Sequence, residues 1–401
     1  MAILAAKTII TGDGTTALHD AAIRINERKI QDIADRNALV SQYPDEEIKD
    51  YGNATILPGL IDMHVHLGYT YSQPDQQNYD AYLVAYYALQ QVQAAFSVGV
   101  TTVRDVSSPK GLCKQLRLAR EKGYAVVPRI IHSDTGICMS GGHGYTDGIE
   151  EVDGPWNIRA AIRRQIRDGA DWIKILTSNR SHTPEFTQEE LDAAVEECHR
   201  VGVKTAVHAG MHPSIDMCIQ AGFDTIEHGT FMTVEQAERM AQKGIAWTPT
   251  ITAYTYLYEQ GVLSKDEVTA GNPVAIRAAR DQQFFEMAAH AYRDHFKMLY
   301  DTGVTVLAGS DMVLYGALAF PINQELAYMV EYGISPLEAI RTATANSASV
   351  LGLADVTGQI KLGLQADLLV VEGDASKDIQ ALFRVNEVYL GGNSVYKQGD
   401  Q

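Results

Sequence analysis

Short apolar runs alternate with longer amphipathic stretches through most of the chain. The runs at 61–66, 101–106, 129–132, 172–176, 204–208, 225–228, 246–250 and 304–308 predict strands. The stretches at 81–97, 112–122, 158–168, 188–201, 215–221, 234–243 and 275–302 predict the intervening helices. Thr187-Gln-Glu-Glu190 has the form of a capping box, and Thr233 that of an N-cap. Gly99, Gly169, Gly222, Gly244 and Gly303 each fall between a predicted helix and the next strand, where a helix C-terminal glycine belongs. Eight β-then-α units predict a TIM-type (β/α)8 barrel of the α/β class. A doubly wound open sheet is the alternative, but no glycine-rich phosphate loop opens the first unit.

The two ends of the chain differ from the middle. Strand candidates at 2–10, 21–26 and 29–34 are joined by the turns Gly12-Asp-Gly14 and Asn26-Glu-Arg-Lys29. Strands and a hairpin recur at 366–372, 385–390 and 394–397. Because termini often lie close together, residues 1–56 plus 358–401 are expected to form one composite β-sandwich, with 57–357 as the barrel.

Composition sharpens the class without naming the chemistry. A chain of 401 residues with 46% hydrophobic and 21% charged residues is ordinary for a globular protein. No run of 18 apolar residues suggests a membrane span, and the apolar start lacks a basic segment before it, so it reads as a first strand and the location as cytoplasmic. The net charge of −17 is spread along the chain, which argues against nucleic acid and anionic membrane as partners. Cys113, Cys138, Cys198 and Cys218 form no C-x-x-C pair and read as reduced structural thiols.

The polar residues able to ligate metal fall where barrels build active sites, at the C-terminal ends of predicted strands. His64 and His66 are two apart on the first strand and share a face. Lys174 interrupts the apolar strand Asp171-Trp-Ile-Lys-Ile-Leu176, where an unpaired amine is costly. It is either a lysine snorkelling at a strand end or one converted by CO2 into an anionic carbamate. His208 and His228 end the fifth and sixth strands, and Asp311 follows the eighth. Singly, each is an ordinary structural histidine or a helix-capping aspartate. Together, four histidines, a lysine and an aspartate on five strand ends point to a metal site.

With the lead-in Leu57-Pro-Gly-Leu-Ile-Asp-Met-His-Val-His66, this set resembles the amidohydrolase superfamily. Within it, the chain is similar to the imidazolonepropionase-like, Xaa-Pro dipeptidase (prolidase)-type branch over essentially its whole length. The resemblance implies two divalent ions, zinc before manganese or cobalt, with His64, His66 and Asp311 on one and His208 and His228 on the other. It implies an N6-carboxylated Lys174 bridging them together with a hydroxide that attacks an amide bond. Asp311 then serves as proton shuttle. Gly141-Gly-His-Gly144 is similar to the branch's loop after the third strand, which makes His143 a substrate and oxyanion contact. Arg180 is a candidate partner of a substrate carboxylate, and Tyr254 and Tyr256, in the segment 251–271, are candidate pocket residues. Where some relatives place a substrate-binding tyrosine, Phe231 stands here.

The implied function is hydrolysis of a dipeptide, an N-acyl amino acid or a related small-molecule amide, with a homo-oligomer as the common assembly. A mononuclear deaminase or cyclic-amide hydrolase on the same fold is the nearest alternative. Many such deaminases carry a glutamate three residues after the fifth-strand histidine, whereas His208 is followed by Ala209-Gly-Met211. A non-catalytic binding or scaffold relative is the alternative of another class; such relatives usually lose ligands, and all six candidates are present.

Overall fold

A computed structural model describes residues 2–69, 78–145, 149–178, 182–263, 276, 279–311 and 321–399. The chain divides into two compact units, one of residues 1–62, 93–103 and 320–401 and the other of residues 63–92 and 104–319.

The first unit is built on one hydrogen-bonded sheet of eight strands drawn from both ends of the chain. Ala2–Ile10 pairs antiparallel with Ala17–Asn26, and the latter with Lys29–Asp35. On its other side Ala2–Ile10 runs parallel to Glu47–Asp50 and to Ala54–Pro58. The C-terminal strand Leu368–Glu372 pairs antiparallel with Ala54–Pro58 and leads through Val385–Leu390 to Asn393–Lys397. Residues of the first strand enter two different clusters. Leu4, Ala6 and Ile9 pack with Ile23, Ile56 and Val370, while Ile3 and Ala5 pack with Ala22 and Leu39. Leu39 lies on the helix Arg36–Gln42, whose N-cap Asp35 accepts from the amides of Asn37 and Ala38. Burial on both faces explains why the first strand is apolar nearly throughout.

Gly99 shows how tightly this unit is fitted. Its φ is 84°, and an added Cβ would lie 2.5 Å from Cδ2 of the buried Leu369. Gly99→Ala therefore combines left-handed strain with overpacking, and is expected to cost about 2–4 kcal/mol. The check is a lowered urea midpoint with no change in metal binding.

In the second unit the strands Trp172–Leu176, Lys204–Ala209, Thr225–His228 and Ala246–Thr248 pair in parallel, in that order. Ile137–Cys138 and Glu150–Glu151 extend the sheet on the Trp172–Leu176 side. The apolar run at 304–308 contributes a single parallel bridge, Trp247 to Val306, rather than a full strand. Further backbone bonds continue the succession. Met63 donates to Ala308, Asp311 to His64, Val106 to Val65, Ser133 to Asp105 and Asp171 to His132. Helices follow the strands, and both predicted N-caps form complete capping boxes, Thr187 with Glu190 and Thr233 with Gln236. The segment 251–271, expected to hold pocket residues, begins as the helix Ile251–Leu263, and within the helix expected at 275–302 the structure has Gln282–Asp301. The four cysteines are buried and form no disulfide with one another. No helix among the described residues is long and apolar enough to cross a membrane.

Candidate metal centre

Strand register decides which side chains share a face. Lys174 pairs with Ala206, Leu176 with His208, and His208 with Glu227. Paired residues point to one side of a sheet, so Lys174, His208 and Glu227 share a face. His228 pairs with Ala209 and by strict alternation would point away. Its backbone instead adopts a left-handed φ of 67°, and its ring lies 4.3 Å from that of His208 and 5.0 Å from that of His64. The strained backbone is clamped, since its carbonyl accepts from Trp247 Nε1 at 2.7 Å and from the Tyr292 hydroxyl at 3.1 Å. Ser107, Asp134 and Thr250, each just past a strand end, and Asp311, just past the run at 304–308, also have positive φ, of 143°, 59°, 50° and 49°. Non-glycine strain of this kind persists only where the surroundings enforce it, and it gathers at functional sites.

The histidines form a row, His66–His64–His228–His208–His143, with adjacent ring centroids 4.1 to 5.1 Å apart. All of the first four are buried. Hydrogen bonding fixes two tautomers. His66 Nδ1 lies 2.9 Å from the Ser107 carbonyl, which can only accept, so this nitrogen carries the proton. His64 Nδ1 lies 2.8 Å from Glu227 Oε2, a carboxylate bound by Arg104, and is protonated for the same reason. In the neutral rings both Nε2 atoms are then lone pairs, and they face each other at 3.2 Å. Such an arrangement is repulsive unless a cation binds there. Burial, followed by the Lys174 charge, drives the pKa of His66 down to about 3 and that of His64 well below the ordinary value. Burial and neighbouring charge likewise hold His208 and His228 well below it. Neutral imidazole is the form that ligates metal.

Asp311 closes the group. Its Oδ1 is 3.5 Å from His66 Nε2 and 3.9 Å from His64 Nε2. One ligand atom each of His64, His228 and Asp311 lie within 4.8 Å of one another. Two further buried atoms, His208 Nε2 and Lys174 Nζ, have no hydrogen-bond partner among the described residues. Burial lowers the Lys174 pKa to about 8, against the pull of Glu227. The donor set therefore fits divalent metal: neutral imidazole nitrogens, a carboxylate, and an amine without a hydrogen-bond partner among the described residues.

Arg104 and Glu227 are site residues that the sequence reading passed over. Arg104 is fully buried, donates from Nε to the Met63 carbonyl at 2.7 Å, and pairs with Glu227 Oε1 at 2.7 Å. Burial works to raise the Glu227 pKa, but the Arg104 and Lys174 charges hold it below the ordinary carboxylate value. The available signal was parity: in Thr225-Ile-Glu-His228 the polar residues 225 and 227 flank an apolar Ile226, so Glu227 shares the inward face with Thr225.

The other candidates are distributed unevenly. His143 stacks on His208 at 4.1 Å, and its backbone amide donates to Glu185 Oε2 at 2.9 Å. Burial raises the Glu185 pKa against that bond. Tyr254 is buried, with its ring 5.6 Å from that of His228. Tyr256 is half-buried on the same helix. Phe231 packs on Phe284. Arg180 lies outside the described residues.

A protein-family model of the amidohydrolase family matches residues 55–395. The chain belongs to the amidohydrolase family. As an amidohydrolase it is 28% identical to ochratoxinase of Aspergillus niger, over 97% of this chain and 85% of that protein. A solved Xaa-Pro dipeptidase with methionine bound in its active site is 30% identical, with a TM-score of 0.84 over 99% of each chain. A prolidase complexed with N-methylphosphonate-L-proline is 25% identical, with a TM-score of 0.80 over 99% of this chain and 100% of the other. The chain thus has the α/β amidohydrolase fold, with a β-sheet from its two ends, and is a hydrolase of that family.

Proposed function

We propose that this amidohydrolase is a binuclear metal-dependent enzyme on a (β/α)8 barrel, cleaving a peptide or N-acyl amino acid amide whose product bears a free α-carboxylate. The observation that carries the reading is the convergence of ligand atoms: the Nε2 atoms of His64 and His66 facing each other at 3.2 Å beside Asp311, with His208 Nε2 and Lys174 Nζ buried and without a hydrogen-bond partner among the described residues. His64, His66 and Asp311 would hold one ion, His208 and His228 the other, and Lys174, as its N6-carboxylate, would join them. Bound zinc, or manganese or cobalt in its place, supplies a water of lowered pKa and polarises the scissile carbonyl.

The chain's own residues then have distinct tasks. Asp311 takes a proton from the attacking water and delivers it to the leaving amine. His143 donates a hydrogen bond to the carbonyl oxygen as negative charge develops. Arg180 pairs with the substrate carboxylate, and Tyr254 and Tyr256 border the acyl portion. The similarity to an Xaa-Pro dipeptidase, a prolidase and ochratoxinase supports an amide substrate. A His208-Ala-Gly-Met211 sequence, with no glutamate three residues on, favours this over a deaminase.

The test is turnover of a panel of Xaa-Pro dipeptides, other dipeptides and N-acyl amino acids by zinc-loaded enzyme. Hydrolysis of carboxylate-bearing amides, abolished by masking that carboxylate as an amide, is expected. Deamination of a heterocycle with no turnover of the panel would contradict the proposal. Glu185→Ala should lower kcat by about 10–100-fold by loosening His143, since small misplacements of a contact group have large kinetic effects. Metal content should not change, which separates this effect from damage to the ligands.

A further inference from the structure

The Arg104–Glu227 pair is a buried ion pair with a specific geometry. One guanidinium holds two things that bear on His64. Its Nε binds the carbonyl of Met63, the residue before His64, at 2.7 Å, and its Nη2 binds Glu227 Oε1 at 2.7 Å. Nη1 adds the Thr225 hydroxyl at 3.0 Å, and the guanidinium carbon lies 4.7 Å from the centre of the Trp172 ring. The other carboxylate oxygen, Oε2, receives Nδ1 of His64 at 2.8 Å. A buried pair of this kind is seldom a gain in stability over apolar packing. Its presence calls for another account.

We infer that Glu227, locked by Arg104, is a positioning residue of the metal centre: it holds the Nδ1 proton of His64 and so keeps Nε2 as a lone pair aimed at the metal. This rests on the metal-centre reading above. An imidazole has one proton to place, and a carboxylate that is already bound by a guanidinium can only accept it. His66 reaches the same tautomer through a backbone carbonyl, which no side-chain substitution removes. His64 depends on Glu227. The carboxylate also makes the ring more basic, hence a stronger ligand.

Glu227→Gln tests the inference sharply. Arg104 has only donors to offer, so the introduced amide must turn its oxygen to Arg104 and its NH2 toward His64 Nδ1. That drives the ring proton to Nε2, the ligating atom. Chelator competition should show one of the two zinc ions bound about 10–100-fold more weakly than in the wild type. Nitrogen-15 spectra of histidine-labelled apoprotein should show one imidazole exchanging its Nδ1–H for Nε2–H. Adding Arg104→Met should recover part of the lost affinity, because the amide oxygen is then free to face His64.

If Glu227→Gln fails to fold, the double variant, which leaves no lone buried charge, carries the test, with zinc binding about tenfold weaker than wild type expected. Equal zinc affinity and unchanged tautomers in a folded variant would overturn the inference. So would a melting temperature lowered equally with and without zinc at unchanged affinity, the signature of a merely structural pair. Failure of the wild type itself to bind zinc would instead sink the metal-centre reading.

Discussion

Lys174→Met is expected to abolish hydrolysis, by ~10³-fold or more, and to leave the protein without its full complement of metal. Lys174 Nζ is buried on an inward face with no hydrogen-bond partner among the described residues. Its charge would act unfavourably on His64, His66, His208 and His228 alike. An unmodified amine is therefore a destabilising element beside a row of buried histidines, and methionine fills similar space without the charge. The variant apoprotein should melt no lower than wild-type apoprotein, while the large rise in melting temperature on adding zinc and bicarbonate should be lost. That pairing of outcomes distinguishes a ligand from an ordinary core residue, whose loss lowers both. Melting curves with and without zinc, alongside metal analysis, provide the check. In Lys174→Ala, which leaves a cavity, a short carboxylate such as formate should restore part of the activity.

Asp311→Asn should reduce amide hydrolysis by about 10²–10⁴-fold, the range for loss of a positioned general base and acid. The aspartate sits 3.5 Å from His66 Nε2 at the end of the eighth apolar run, on a residue with φ of 49°. An asparagine can occupy the same space but cannot carry the proton from the attacking water to the amine. The dependence on leaving group makes this specific. An activated ester departs without protonation, so the same variant should lose much less activity on a nitrophenyl ester than on the corresponding amide. Equal losses on the two substrates would assign Asp311 to metal binding alone.

Much of this site was legible because parallel α/β units place their functional residues at strand ends. The periodicity located the strands carrying His64, Lys174, His208 and His228, and both predicted N-caps formed boxes. Several features escaped for physical reasons. The helix Ile251–Leu263 is buried around most of its first turns, so it lacks the polar stripe by which a surface helix is recognised. The run at 304–308 forms one bridge because its neighbours bind it through isolated backbone bonds, such as Met63 to Ala308. Period-two reasoning also fails at a strained backbone. It would aim His228 away from the site and leaves Glu227 facing in, and only the left-handed turn at His228 lets adjacent residues both serve the same centre. Arg104 was hidden differently, as a charge beside Asp105 at the end of its strand, with its ion-pair partner on another strand. The short helices Arg36–Gln42, Pro336–Thr342 and Ala345–Val350 give too few turns for periodicity to register.

The central claim is a pair of ions joined through a carboxylated Lys174, and a crystal grown with zinc and bicarbonate tests it most directly. An anomalous difference map at the zinc edge should show two peaks per chain, one beside His64, His66 and Asp311 and one beside His208 and His228. Electron density at Lys174 should extend beyond Nζ by a carboxylate lying between the peaks. A single peak with an unmodified Lys174 would contradict the account and return the chain to a mononuclear amidohydrolase.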